Sequence, residues 1–228
     1  MFDFREKDPE FAERFEHFAF DEVVNEPGQQ LDPITRHLAI LATLLGCQGI
    51  DAFQEELPAA LDEGVTPVMA KEVIYQAVDY LGIGRVMPSL MAANEILTDR
   101  GVSLPLEGQA TTTLEDRLEK GAQTQADIFG PHMLEAWKQG HINRWLAANC
   151  FGDYYTRTGL DLKRREMITF CYLAAQGGCE PQLTAHAKGN LNLGNDKDFL
   201  KKVVSQCLPY IGYPRSLNAI SCIDKAAE

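Results

Sequence analysis

Asp79-Tyr80-Leu81-Gly82-Ile83-Gly84-Arg85 returns further along the chain as Pro209-Tyr210-Ile211-Gly212-Tyr213-Pro214-Arg215, an offset of 130 residues. The same offset pairs Leu61-Asp62-Glu63-Gly64 with Leu191-Asn192-Leu193-Gly194, Lys71 with Lys201, and Val73-Ile74 with Val203-Val204. Upstream, Leu31-Asp32-Pro33-Ile34-Thr35-Arg36 lies against Leu160-Asp161-Leu162-Lys163-Arg164-Arg165 at an offset of 129. A single-residue gap reconciles the two offsets, and Gly28 and Gly159, just before this segment and 131 apart, extend the match. Several matches in the same order mean a duplicated unit.

Each copy reads as helices. Ile34 to Leu45 and Lys163 to Ala175 are apolar-rich runs of good helix formers, ended by Gly46 and by Gly177-Gly178. The next helix starts near Asp51 in one copy and at Glu180-Pro181 in the other, with proline in the first turn. Gly64 and Gly194 close it. Pro67 and Asp196 open a third helix, through Val73 to Tyr80 and Val203 to Tyr210. A last one covers Pro88 to Thr98 and Ser216 to Lys225. No long stretch alternates with period two, so the expected fold is all-α. We expect a first, divergent unit at 1–100, a linker with a lead-in helix at 101–128, and a second unit at 129–228. Thr113 and Asp116 resemble a capping box for the lead-in helix. His132 to Asn149 is expected as one helix, with Trp137, His141 and Trp145 on one face. Its counterpart is Asp8 to Val24, where Phe11, Phe15 and Phe18 read as packing residues.

The net charge of −12 argues against nucleic acid, which calls for a basic surface. No apolar run approaches the roughly 20 residues that span a bilayer, so no membrane role is expected. The charged start Met-Phe-Asp-Phe-Arg-Glu-Lys-Asp is unlike a signal peptide. Six cysteines stand without any CxxC spacing or zinc-type cluster, so no metal is expected. A cytoplasmic setting follows as the expectation.

Chemistry concentrates in the second copy. Arg165-Glu166 lies on one helix, Gly178-Cys179-Glu180-Pro181-Gln182 forms the turn, and His186 follows on the next helix. Gln182 and His186 are four residues apart and share a helix face. Cys179 opens that helix, where the helix dipole favours a thiolate. The hairpin can carry Glu166 to His186, and a carboxylate beside an imidazole is a general acid–base pair. The plainer alternatives are a surface histidine, a Glu166 paired with Arg165 or Lys163, and a Cys179 that is only a small turn residue.

From Asn149 to Ser221 the chain resembles the carboxymuconolactone decarboxylase and alkylhydroperoxidase-D-like family. The residues that carry the resemblance are Phe151-Gly152-Asp153-Tyr154-Tyr155, Thr158-Gly159-Leu160, Lys163-Arg164-Arg165-Glu166, Cys179 to His186, Ala187 to Gly194 and Tyr210-Ile211-Gly212-Tyr213-Pro214. The first copy carries it more faintly from Leu31 to Leu97. The resemblance implies two tandem alkylhydroperoxidase-D-like helical units. It also implies rings of six units, so a two-unit chain would form a homo-oligomeric trimer. The peroxidase branch uses two cysteines, but the second position here is Gln182, so the cysteine-pair cycle cannot run as usual. The decarboxylase branch needs no cofactor and removes CO2 from 4-carboxymuconolactone. By that resemblance the chain is expected to be a carboxy-lyase for a small carboxylated lactone. His186 would be the proton donor and Glu166 its partner, with Arg165, Lys188, Arg215 and Gln182 as substrate-binding residues. Two rival readings stay open: a thiol-dependent antioxidant protein using Cys179, and a non-catalytic ligand-binding scaffold.

At the repeat offsets Glu166 corresponds to His37 and His186 to Glu56. The acid and the imidazole exchange helices between the copies. A preserved His37–Glu56 contact would make a degenerate second site or a structural mimic of the first.

Overall fold

A computed structural model describes residues 4–228; the first three residues of the charged N-terminal run lie outside the described residues. It is helical throughout. The first copy runs through α1 (Pro9–His17), a π-helical segment (Phe18–Glu22), α2 (Val23–Asn25), α3 (Pro33–Cys47), α4 (Ile50–Asp62), α5 (Pro67–Leu81) and α6 (Ile83–Asp99). After a loop come α7 (Arg117–Phe129), a 3-10 helix (Pro131–Gln139), α8 (His141–Trp145) and a second π-helical segment (Leu146–Tyr155). Then follow α9 (Leu162–Gln176), α10 (Glu180–Asn192) and α11 (Lys197–Ala226). Among the described residues there is no strand, and no helix is long and apolar enough to cross a membrane.

The repeat is visible in the helix ends. Asp32 and Asp161 accept hydrogen bonds from the backbone N–H of Thr35 and Arg164, at 3.0 and 2.9 Å, and cap α3 and α9. Thr66 and Asp196 cap α5 and α11 in the same way. Gly82 and Gly212, the glycines of the repeated motif, both sit at positive φ (76° and 75°). There a side-chain-free residue turns the chain sharply. The turn separates α5 from α6 in the first copy and kinks α11 in the second.

The two copies do not keep separate interiors. Leu38, Leu41 and Leu45 of α3 share one core with Met167, Ile168, Cys171 and Tyr172 of α9. Gly46 permits the close approach: a Cβ there would stand 2.7 Å from both the Ala175 Cβ and the Tyr172 carbonyl oxygen. The third helix of each copy then crosses onto the first helix of the other. Arg165 Nη1 donates to Gln76 Oε1 at 2.9 Å, and Arg36 Nε donates to Gln206 Oε1 at 3.0 Å. Each glutamine stands 130 residues from the other, each arginine 129, so the interlock obeys the internal repeat.

Three sequence expectations change in detail. His132 to Asn149 is not one helix, because Gly140 at φ 153° breaks it between the 3-10 helix and α8. Trp137 therefore leaves the face of His141 and Trp145, and Trp145 is exposed. The last helix of the first copy begins at Ile83, with Pro88 inside it. At Thr113 only half of the box forms: its N–H donates to Asp116 Oδ1 at 2.7 Å, and α7 starts after Asp116. In the N-terminal stretch, Phe11 is exposed while its ring stacks on Phe15 at 6.1 Å.

Candidate functional site

The turn at Gly177-Gly178, both at positive φ, folds α10 back along α9. This brings Glu166 and His186 together, with His186 Nδ1 2.9 Å from Glu166 Oε2. Glu166 is fully buried, whereas the imidazole keeps 12% of its surface exposed. Gly189, one turn beyond His186, allows the approach: its added Cβ would stand 2.7 Å from Glu166 Oε2. Asn190 Nδ2 donates to the main-chain oxygens of Glu166 and His186, at 2.9 and 2.8 Å, and so ties the two helices at the pair.

The other Glu166 oxygen accepts from Tyr155 Oη at 2.7 Å. Tyr155 lies in the second π-helical segment, whose i→i+5 turns put residues five apart, Cys150 and Tyr155, on one face. Its hydroxyl also meets Thr169 Oγ1 at 2.7 Å and Tyr80 Oη at 3.0 Å. Cys150 Sγ donates to Tyr80 Oη at 3.5 Å. Tyr80 comes from α5 of the first copy, so the site is built by both copies. The imidazole sits between two aromatic rings, Tyr80 and Phe129, each edge-on with centroids 5.4 Å away. Burial drives the Tyr80, Tyr155 and Cys150 groups well above their ordinary pKa values, with neighbouring acidic groups adding to it. All three stay protonated and neutral.

The expected substrate-binding cations do not converge here. Arg165 is fully buried and donates to Glu72, Gln76 and the carbonyls of Arg157 and Thr158. It locks the copies together and cannot reach a substrate; it pairs with Glu72, not Glu166. Lys188 Nζ donates to the Ala226 carbonyl at 3.1 Å, and Arg215 Nη1 to the Ala175 carbonyl. Both thus finish helix ends. Gln182 is exposed one turn before His186. Cys179 is half-buried; its thiol donates to the Leu173 carbonyl at 3.5 Å and accepts from Gln176 at 3.6 Å. Tyr155, Tyr80, Cys150 and Phe129 had no assigned role in the sequence. Tyr80 stood in the repeated motif, which was its one signal.

The exchanged pair of the first copy also meets: His37 Nδ1 lies 2.6 Å from Glu56 Oε1. The environment differs, because His37 is buried and its Nε2 lies 3.3 Å from Glu63 Oε2. Both nitrogens face carboxylates. Burial pulls the imidazole pKa down, but the Glu56 hydrogen bond and charge, with those of Glu63, outweigh it and leave it above its ordinary value. Tyr210, the counterpart of Tyr80, is half-buried, and its hydroxyl is buried with no hydrogen-bond partner. Counting from Gly28 and Gly159, the Tyr155 position is Val24, which offers no hydroxyl.

The sequence model of the carboxymuconolactone decarboxylase family matches residues 9–95 and 141–225, one segment in each copy and most of the chain together. The chain belongs to this family. It is also similar to a 4-carboxymuconolactone decarboxylase of Acinetobacter baylyi, 26% identical over 116 residues, which cover 45% of this chain and 80% of that protein. In this family member the second segment holds Glu166 and His186, and the first holds their exchanged counterparts.

Proposed function

We propose that the chain is a cofactor-independent carboxy-lyase acting on a small carboxylated lactone such as 4-carboxymuconolactone. The observation that carries this reading is the buried Glu166, held between the Tyr155 hydroxyl and the His186 imidazole. Family membership and the similarity to a 4-carboxymuconolactone decarboxylase support it. Loss of CO2 breaks a carbon–carbon bond and leaves its electron pair delocalised towards the lactone carbonyl. A proton must then reach a carbon atom. With Nδ1 donating to Glu166, the Nε2 of the imidazolium is the nitrogen left to deliver that proton. Glu166 orients the ring and stabilises its charge, and Tyr155 holds Glu166 in turn. The edge-on rings of Tyr80 and Phe129 fix the imidazole plane. Gln182, exposed on the same helix face, would be the polar group that meets the substrate.

The test is CO2 release from 4-carboxymuconolactone and related carboxylated lactones. Glu166→Gln is expected to lower kcat by about 10²–10⁴, the range for losing a general acid–base group. Cys179→Ser is expected to stay within about twofold of the parent. Loss of all activity with Cys179→Ser would favour the thiol-dependent reading, and no CO2 from any such lactone would favour a non-catalytic scaffold.

The oligomer belongs to the same proposal, as does the division into units at 1–100 and 129–228 joined by 101–128. Ile83 and Met87 on α6 are exposed, and so are their counterparts Tyr213 and Leu217 on the second limb of α11. Matched apolar faces at both ends of a duplicated chain suit closure into a ring of three chains. Sedimentation is expected to give three times the 25.4 kDa chain mass; a monomer at micromolar concentration would contradict it.

A further inference from the structure

Lys71 and Lys201 occupy the same place in the two copies, and so do Asn94 and Asp224, each 130 residues from its counterpart. In the second copy the two residues form an exposed ion pair, with Lys201 Nζ 3.2 Å from Asp224 Oδ1. In the first copy Lys71 Nζ donates to the Asn94 side-chain oxygen, and an amide carries no charge. Lys71 is nevertheless only 5% exposed. Among the described residues no carboxylate pairs with it, and one of its three N–H donors is used. A buried cation is costly unless it is paired. The acid is thus missing from the copy in which the lysine most needs one.

Lys71 lines a cavity of about 90 Å3, together with Glu72 and Tyr75 of α5, Arg157, and loop residues 106–109. Thr158 holds the loop in place, its N–H donating to the Gln109 carbonyl at 3.0 Å. Two cations share the Tyr75 ring: Lys71 Nζ is 5.6 Å and Arg157 Cζ 5.4 Å from its centroid. The buried acid of this wall is Glu72, and it is divided. Arg157 Nη2 and Arg165 Nη2 each lie 2.9 Å from one of its oxygens. One carboxylate therefore balances one of two guanidinium charges, and Lys71 adds a further positive charge. Glu107, the other acid lining the cavity, is exposed and pairs with neither cation among the described residues. Burial lowers the Lys71 pKa, as it does for an ammonium without a counter-ion. A space of this size holds several water molecules, and so it also holds a small anion.

We propose that this cavity binds a small oxyanion, a monocarboxylate or inorganic phosphate, with an oxygen on the Lys71 ammonium. The anion does for Lys71 what the Asp224 carboxylate does for Lys201. The N–H donors that Asn94 leaves free meet its oxygens, and charge-assisted hydrogen bonds of this kind are the strong ones. The guanidinium charge that Glu72 does not cancel adds attraction from the same wall. Asn94 is what keeps the place open, since a carboxylate there would neutralise Lys71 from within. The site uses neither Glu166 nor His186, and it stands whether or not the chain is a lyase.

The experiment is an NMR titration of the full chain labelled with 13C-lysine, adding sodium acetate or sodium phosphate separately at constant ionic strength. The Lys71 side-chain resonance is assigned by its loss in Lys71→Met. It is expected to shift saturably with at least one of the two anions, while the Lys201 resonance stays in place. Saturation by acetate alone marks a carboxylate site, and saturation by phosphate alone marks a phosphate site. Asn94→Asp, which gives Lys71 the partner that Lys201 already has, is expected to weaken the binding at least about tenfold. The same anion should raise the Tm of the parent and leave that of Asn94→Asp level. No saturable shift with either anion overturns the proposal, and so does an affinity in Asn94→Asp equal to the parent's. Asn94→Asp keeps Lys71 in place, so the test survives a Lys71→Met variant that folds poorly. The Lys71 resonance is then the one that the new carboxylate displaces.

Discussion

His37 and His186 face the same type of partner in different surroundings. Each imidazole meets a carboxylate through Nδ1. At His186 only Nδ1 meets a carboxylate among the described residues, and that carboxylate is backed by a hydroxyl. At His37 the second nitrogen also faces a carboxylate, and no hydroxyl backs the first. The His37 pair is accordingly read as structural. Its pKa is raised by folding, so its contribution to stability is fully present below the ordinary value of 6.5 and is lost as pH rises through the higher folded value. Glu56→Gln is expected to remove that pH-dependent contribution, about 1.4 kcal/mol for each unit of raised pKa. Thermal melts between pH 5 and pH 9 check this: the gap between parent and variant should be widest at pH 5. A gap that widened towards pH 9 would contradict the assignment.

Helix contacts at the site depend on missing side chains. Gly121 of α7 and Gly152 of the second π-helical segment face one another where the two elements cross. A Cβ on Gly121 would fall on the Ala147 carbonyl oxygen and lie 2.7 Å from the Gly152 N. Backbone cannot yield as a flexible side chain does, so Gly121→Ala is expected to cost about 1–3 kcal/mol, the range for overpacking. It should also loosen Tyr155, which the π-helical segment positions, and lower activity along with Tm. An unchanged Tm would count against this crossing.

The two α-hairpins themselves were legible, because Asp and Thr caps, first-turn prolines and terminal glycines mark their ends locally. The Glu166–His186 meeting was legible too, since a short hairpin with a Gly-Gly turn leaves few other arrangements. The break at Gly140 was not, because an apolar and aromatic run reads alike across a 3-10 turn and a π-helical register. Arg165 misled for a different reason. Its partner Glu72 lies in the other copy, and no local pattern tells a buried arginine from a substrate-facing one.

Across the whole molecule, duplication has produced an interlocked pair in place of two beads. Tyr80 of the first copy enters the second copy's site, while Tyr210 of the second copy lies half-buried near the Glu56 charge in the first. The first copy thus contributes to the second copy's site: it supplies Tyr80 and the Glu72 that anchors Arg165. Divergence falls at the exchanged acid and imidazole, while the caps and the kink glycines persist. The proposed lyase reading stands on His186 as the donor of one proton to carbon. Decarboxylation of 4-carboxymuconolactone in D2O, with the deuterium located in the product, reads that step directly. The parent should place a single deuterium on one face of the carbon that accepts the proton, and His186→Asn should form product at least about 10²-fold more slowly. A His186→Asn enzyme that kept both the rate and the single-face labelling would contradict the assignment of His186 as the acid.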